Sequence, residues 1–146
     1  MVCPAGTALQ LRAQKEKTDG ETYRDYVPHN VTLTDGSLLA RYFGTTTLTG
    51  CPSWHHQALL STEGTPLRVT ATTTVSSIDM VEGIERTDKA CAVGVQFHPE
   101  AAIVKHTGKA VNSAYADLFM TYDAAIPLFR AFIEVCSNST PSTLGQ

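Results

Sequence analysis

The sequence has 146 residues, of which 42% are hydrophobic and 17% are charged, and its formal net charge is −3. A chain of this length and balance can bury one hydrophobic core and is not disordered in composition. Basic residues near the N-terminus are interleaved with acidic ones, and no segment reaches the roughly 18 apolar residues of a membrane span. We therefore expect no nucleic-acid partner and no membrane partner.

The four cysteines indicate the compartment. They are widely spaced and form no C-x-x-C pair: Cys3, Cys51, Cys91 and Cys136. Such spacing in a chain of this size is typical of free thiols in a reducing environment. The N-terminus also lacks the long apolar run of a signal peptide. The sequence therefore predicts a cytoplasmic protein.

The N-terminal part predicts a short amphipathic helix around residues 8–17 and then a strand. From His29 onwards, Val31 and Leu33 alternate with polar residues. This period of two is typical of a half-buried strand.

A short helical unit follows this strand. Asp35-Gly36 predicts a turn, and Ser37 is a good N-cap for a helix over residues 38–43. Gly44 would end this helix, because glycine readily adopts the left-handed conformation found after helix ends.

The middle of the chain predicts a loop and then two strands. Residues 45–60 include the polar and aromatic stretch CPSWHHQALL, and Pro52 near its start favours a loop that presents side chains. Residues 67–73 and 78–84 alternate and are rich in branched side chains, so we expect two strands that pair as antiparallel neighbours.

The most apolar strand is predicted over residues 90–97. Both odd- and even-numbered positions are apolar there, so both faces of the strand would be apolar. This is typical of a strand covered on both faces in an α/β sheet. The mixture of strands and helices, without internal repeats, indicates the α/β class.

Two helices are predicted after a polar stretch that runs from Glu100 to about residue 108. The first spans residues 111–120, and the second spans residues 123–136, with Asp123 as its cap and Pro127 in its first turn. The final residues, 137–146, are rich in Ser and Thr and predict a flexible tail.

His98 and Glu100 are the candidate catalytic residues. They follow the apolar strand, where open α/β sheets bind ligands, and Pro99 stiffens the turn between them. An imidazole can act as general base and then general acid if a carboxylate orients it and stabilises its charged form. Taken alone, the same tripeptide could simply end a strand and begin a loop.

Four segments together resemble class I glutamine amidotransferases and their γ-glutamyl hydrolase relatives, peptidase family C26. They are HNVTLTDGSLLARYFG (29–44), SWHHQAL (53–59), LRVTATTTVSSIDMVEGIE (67–85) and GVQFHPE (94–100). The resemblance runs from about Pro28 to Glu100, with a weaker part at 127–136. It implies a flavodoxin-like α/β layer that is truncated at its N-terminus, with residues 1–136 forming a partial domain.

The resemblance also implies a reaction and its residues. A cysteine would attack a γ-glutamyl amide in a Cys-His-Glu triad, with His98 as base and acid and Glu100 as its orienting partner. Four residues would bind the substrate: Ser53, His55, His56 and Gln57. Pro52 stands where the family usually has asparagine. No cofactor is implied, and no metal is expected because adjacent histidines diverge and lack ligands at suitable spacing.

The nucleophile is the feature that departs from the family. The family's G-x-C-x-G pattern around the nucleophile is absent from this sequence. The other cysteines do not lie where the family places its nucleophile in the order of motifs: Cys51, Cys91 and Cys136. Cys3 lies upstream of His98 at a compatible separation. However, Pro4 and Ala5 stand between Cys3 and the next glycine, and the apolar strand that should precede it is missing.

Three hypotheses remain open from the sequence. The first is a γ-glutamyl hydrolase of reduced or no activity, acting on a small γ-glutamyl molecule. The second is a catalytically dead module that binds such a ligand or a partner. The third is a fragment without function. For the missing strands, we expect pairing with an N-terminal half or with a second copy of the chain.

Overall fold

The structure, a computed structural model, describes residues 13–16, 22–25, 27–55, 57–106 and 118–138. In this part of the chain, the strands are β1 (Ala13–Glu16), β2 (Thr22–Asp25), β3 (Val27–Leu33), β4 (Thr47–Ser53), β5 (Leu67–Val75), β6 (Ile78–Arg86) and β7 (Val93–Val95). The helices are α1 (Leu38–Phe43), α2 (Glu100–His106) and α3 (Tyr122–Asn138). The described architecture is α/β.

Strands β3 to β7 form one antiparallel sheet in the order β4-β3-β5-β6-β7, and β1 pairs with β2 in a separate hairpin. The predicted helix over residues 8–17 is wrong where it can be compared, because residues 13–16 form β1. The remaining residues of that prediction, 8–12 and 17, lie outside the described residues.

The unit formed by β3 and α1 confirms the local predictions for this region. Val31 and Leu33 are buried. The Ser37 hydroxyl accepts a hydrogen bond from the Ala40 N–H at 3.1 Å. Gly44 ends the helix with φ 69°, and its N–H donates to the Ala40 carbonyl. These contacts satisfy backbone groups that every helix end leaves unpaired.

Strands β5 and β6 pair as predicted and form a hairpin with a two-residue turn. Val75 pairs with Ile78, and Ser76 and Ser77 between them both have positive φ, at 50° and 64°. Two successive residues with positive φ are typical of the turn whose twist matches paired strands.

One hydrophobic core joins the sheet to the helices. Its buried members are Val31, Leu33, Leu39, Ala40, Leu48, Cys51, Ala71, Phe97, Ala102, Met120 and Ala125. Gly83 of β6 allows α1 to approach the sheet closely, because a Cβ there would lie 2.7 Å from Leu39 Cδ1. The core therefore anchors Phe97, the residue directly before His98.

The predicted loop over residues 45–60 is wrong for its first part, which forms β4. Strand β4 is an edge strand of the described sheet and pairs with β3, where Pro52 lies opposite Pro28. Proline cannot donate a ladder hydrogen bond, but an edge strand tolerates it. The composition of the segment suggested a loop, whereas its pairing partner made it a strand.

The predicted strand over residues 90–97 is also wrong in extent and position. Strand β7 covers only Val93–Val95, and its residues are half-buried. Within the described sheet it is the last strand and pairs with β6 alone. An apolar run shows that a segment prefers burial, but not how many neighbours it has.

The C-terminal helices differ from the predictions mainly at their ends. Residues 100–106 form α2 where a polar stretch was expected. Helix α3 begins at Tyr122, and the Thr121 hydroxyl, rather than Asp123, accepts a hydrogen bond from the Ala124 N–H. Pro127 therefore lies inside α3 and not in its first turn. Most of the predicted helix over residues 111–120 and of the tail lies outside the described residues.

Candidate functional site

Two backbone hydrogen bonds and a buried neighbour place His98 at the junction of β7 and α2. Its N–H donates to the carbonyl of Pro52 in β4 at 2.8 Å. Its own carbonyl accepts from the Ala101 N–H at 3.1 Å, which forms the turn into α2. The neighbouring Phe97 is buried in the core. The position of His98 is thus set by two parts of the chain that are distant in sequence.

The side chains of His98 and Glu100 meet across this turn. The His98 Nδ1 lies 2.7 Å from the Glu100 Oε1. The His98 side chain is 33% exposed and the Glu100 side chain is 54% exposed. A carboxylate can only accept, so Nδ1 carries the proton and the neutral ring has its lone pair on Nε2. This is the tautomer that a general base requires.

Two of the predicted substrate-binding residues point into the protein. Ser53 is fully buried, and its hydroxyl lies 3.5 Å from the His29 Nε2. His55 is only 9% exposed, and its Nδ1 lies 3.1 Å from the Gln57 carbonyl oxygen. Gln57 itself is exposed. Ser53 directly follows Pro52, whose carbonyl accepts the hydrogen bond from the His98 N–H. The predicted residues His56 and Cys3 lie outside the described residues.

Sequence reasoning missed two residues of this region, His29 and Glu82. Glu82 is fully buried, and its Oε1 lies 3.4 Å from the Nε2 of both His29 and His55. Both contacts are long for hydrogen bonds, and neither carboxylate oxygen has a well-aligned donor among the described residues. The spacing from Met80 was a usable signal, because residues two apart in a strand share a face and Met80 is apolar.

The charge of Glu82 is favoured by these histidines. Burial by itself raises the pKa of its carboxyl, but the contacts with His29 and His55 outweigh burial and lower it from its ordinary value. Glu82 is therefore a buried carboxylate whose charge depends on two imidazole rings.

The cysteines within the described residues do not form a nucleophile beside His98. Burial, with a smaller effect from the charge of Glu82, raises the pKa of Cys51 to about 12, which disfavours its thiolate. Cys91 precedes β7, at the opposite end from His98, and its Sγ lies 3.1 Å from the Tyr42 hydroxyl. Cys136 is exposed near the end of α3.

Two further searches concern only the described part of the chain. It contains no group of three or more His, Cys, Asp or Glu side chains that could hold a metal ion. Among its helices, none combines the length and the apolar character that crossing a membrane would require.

The fold is that of class I glutamine amidotransferases. The structure is similar to the glutaminase domain of Trypanosoma brucei CTP synthase with bound acivicin, with a TM-score of 0.56 and 16% sequence identity. The match covers 86% of this chain and 44% of that chain, so this chain spans less than half of that domain's length.

A family model identifies the chain more closely. The model of peptidase C26 matches residues 5–100, which is more than half of the sequence, so the chain belongs to the peptidase C26 family of glutamine amidotransferase-like hydrolases. We expected the resemblance to start at about Pro28, but the match begins upstream of it, at residue 5. It ends at Glu100, as expected. A search of curated proteins found no significant match.

Proposed function

We propose that this chain supplies the general base and its orienting carboxylate for hydrolysis of a γ-glutamyl amide in a small molecule. His98 is the base, and Glu100 is its partner. The observation that supports this most directly is the 2.7 Å contact between His98 Nδ1 and Glu100 Oε1, made at the surface, where a substrate could reach the ring. Membership of the peptidase C26 family supports the reaction class.

The proposed reaction has two halves. First, His98 Nε2 takes the proton of a cysteine thiol, and the sulfur attacks the γ-carbonyl carbon of the substrate. The C–N bond then breaks, and the amine leaves with the proton from the imidazolium. Second, His98 deprotonates a water molecule that attacks the thioester, which releases a free γ-carboxylate and restores the thiol. Glu100 stabilises the imidazolium in both halves.

Cys3 is the proposed nucleophile. In its favour are the family assignment and the unsuitable positions of the other cysteines: Cys51 is buried with a raised pKa, and Cys91 contacts Tyr42. Of the described residues predicted to bind substrate, Gln57 is the exposed one, so we propose that it contacts substrate. We include His56 in the same proposed role. Ser53 and His55 are buried, and we propose that they support the substrate-binding segment from the protein interior.

A chromogenic γ-glutamyl p-nitroanilide tests this proposal on the purified chain. We expect His98→Asn to reduce turnover by roughly 10²- to 10⁴-fold, the usual contribution of a general acid–base. Cys3→Ser should abolish turnover. Cys136→Ser, an exposed thiol far along α3, is the matched control and should have no effect.

Three results would change the interpretation. Unchanged turnover in His98→Asn would reject the proposed base. Unchanged turnover in Cys3→Ser would remove that residue from the mechanism. Absence of turnover in the unmodified chain, together with thermal stabilisation by glutamine or a γ-glutamyl peptide, would instead support a binding module.

A further inference from the structure

The two edges of the described sheet are covered differently. At β4, the carbonyls of Gly50 and Pro52 accept hydrogen bonds from the N–H groups of Met120 and His98, at 2.7 and 2.8 Å. At the opposite edge, β7 pairs with β6, and no other strand of the described residues lies beside it. The chain therefore caps the edge at β4 with its own backbone, whereas the outer side of β7 is open within the described part of the chain.

The register of β7 shows which backbone groups point away from the sheet. The Ala92 carbonyl and the Gln96 N–H both bond to β6, at 2.9 and 2.8 Å. In an antiparallel ladder such bonds occur at every second residue. Val93 and Val95 occupy the positions in between, so their N–H and C=O groups point away from β6. Both residues can therefore bond to a further strand.

The sequence around β7 lacks the features that usually protect a sheet edge. Natural proteins discourage pairing at an edge with charged side chains, prolines or bulges. Residues 90–97 contain no charged residue and no proline, and the register between β6 and β7 is regular. At the other edge, β4 contains Pro52 and its pairing with β3 includes a register shift. A second strand can thus approach β7 without meeting a charge on it.

Helix α3 has exposed apolar side chains next to this edge. Leu128, Phe129 and Phe132 line a cavity of about 320 Å³, and both valines of β7 line it from the sheet. Leu128 also packs against the core, but Phe132 and its neighbour Ile133 are each 61% exposed. The apolar surface of α3 therefore continues from the core to solvent beside the last described strand.

These two features together identify the kind of partner that fits. A small apolar molecule could cover Phe132, but it would leave the outward backbone groups of β7 without partners. A β-strand can satisfy both. Because the outward groups of Val93 and Val95 are placed symmetrically about Gly94, and the strand is uncharged, β7 is complementary to its own copy.

We propose that the outer side of β7 is a dimer interface, where β7 of a second copy pairs antiparallel about a twofold axis at Gly94. Val93 of each copy then forms a hydrogen-bonded pair with Val95 of the other. The twofold axis is perpendicular to the joined sheet, so both α3 helices lie on the same face. Apolar contacts around Phe132 add to the backbone hydrogen bonds of this short strand.

Analytical ultracentrifugation of the purified chain tests the dimer. The measured mass should rise from that of one chain in dilute solution to that of two chains in concentrated solution. The inference does not rest on the proposed function. A dimer that fails to cleave γ-glutamyl p-nitroanilide would therefore count only against that function.

Hydrogen exchange of the backbone amides identifies the edge that is used. Protection of the Val93 and Val95 amides should increase about tenfold or more as the chain concentration rises and the dimer forms. The Gly94 and Gln96 amides point to β6 and are the internal control. Their protection should not depend on chain concentration.

Two exposed apolar residues provide a matched comparison. Phe132→Asp places a charge next to β7 and should leave the chain monomeric. Leu118 is 58% exposed, close to the 61% of Phe132, but it lies against Gly50 at the β4 edge. Leu118→Asp should therefore leave the dimer intact.

A proline tests the backbone pairing. Val95→Pro removes an N–H that points outward and makes no bond to β6, so the dimer should be lost while the sheet is retained. Val95→Ile keeps this N–H and should dimerise like the unmodified chain. If Val95→Pro does not fold, Phe132→Asp and the exchange measurement still decide the outcome.

Four results would overturn the interface. The first is a chain that stays monomeric at the highest soluble concentration. The second is a dimer in which the Val93 and Val95 amides are no better protected than in the monomer. The third is protection of these amides at every concentration, because another segment of the same chain would then cover the edge. The fourth is equal weakening of the dimer by Phe132→Asp and Leu118→Asp, which would indicate non-specific association.

Discussion

In the described part of the chain, two glutamates contact imidazole rings: Glu100 contacts His98, and Glu82 contacts His29 and His55. The pairs differ in sequence separation, burial and distance. His98 and Glu100 are two residues apart, partly exposed, and separated by 2.7 Å. His55 and Glu82 are distant in sequence, buried, and separated by 3.4 Å. The first pair is formed by a tight turn, whereas the second requires the sheet to assemble.

Burial determines what each pair can do. An exposed pair contributes little to stability, since water screens it, but it can exchange protons with a substrate. A buried pair cannot easily reach a substrate, but removing one member leaves an uncompensated charge in the interior. We therefore expect substitutions to separate the two pairs by what they affect.

The largest effect on stability is expected from Glu82→Ala. This substitution leaves two buried imidazole rings without their carboxylate partner, and breaking a buried pair in this way typically costs about 3–5 kcal/mol. The free energy of unfolding from urea titration measures it. Glu63→Ala, an exposed glutamate in a turn, is the control and should change that free energy by less than about 0.5 kcal/mol. An equally small change in Glu82→Ala would show that the buried pair is not needed for the fold.

An intermediate effect is expected from acid. The pKa of Glu82 is lower in the folded chain than in the unfolded chain, where it should be about 4.3. Its contribution to stability is therefore complete above the ordinary carboxyl pKa and is lost as pH falls through the lower folded value. Thermal unfolding between pH 6 and about pH 3 should show a decline that is shallower in Glu82→Gln. Parallel curves for the two proteins would contradict the lowered pKa.

The smallest effect on stability is expected from Glu100→Gln. The side chain of Glu100 is more than half exposed, so the free energy of unfolding should change by less than about 1 kcal/mol. Turnover of the γ-glutamyl p-nitroanilide should nevertheless fall, because an amide stabilises the imidazolium of His98 less well than a carboxylate. A loss of stability comparable with that of Glu82→Ala would remove the contrast between the two pairs.

Local features of the fold were predictable from the sequence. The helix over residues 38–43 begins at Ser37 and ends at Gly44 as expected, because a side-chain cap and a left-handed residue act within one turn. The hairpin of β5 and β6 was predictable for the same reason, since alternation and a short connection suffice to pair two neighbouring strands.

Features that depend on distant partners were not predictable. Residues 47–53 contain glycine and proline and suggested a loop, but pairing with β3 makes them a strand. The segment at 90–97 is apolar enough for a central strand, yet in the described sheet β7 is the last strand and has one neighbour. Neither outcome follows from composition, because pairing is a property of two segments.

The contact between His98 and Glu100 could be anticipated from the sequence, because a spacing of two residues around a rigid proline lets both side chains lie on one side of a turn. The burial of Glu82 against His29 and His55 could not be anticipated in this way. Those three residues lie on separate segments, and the free energy of burying a charge depends on every group that the fold places around it.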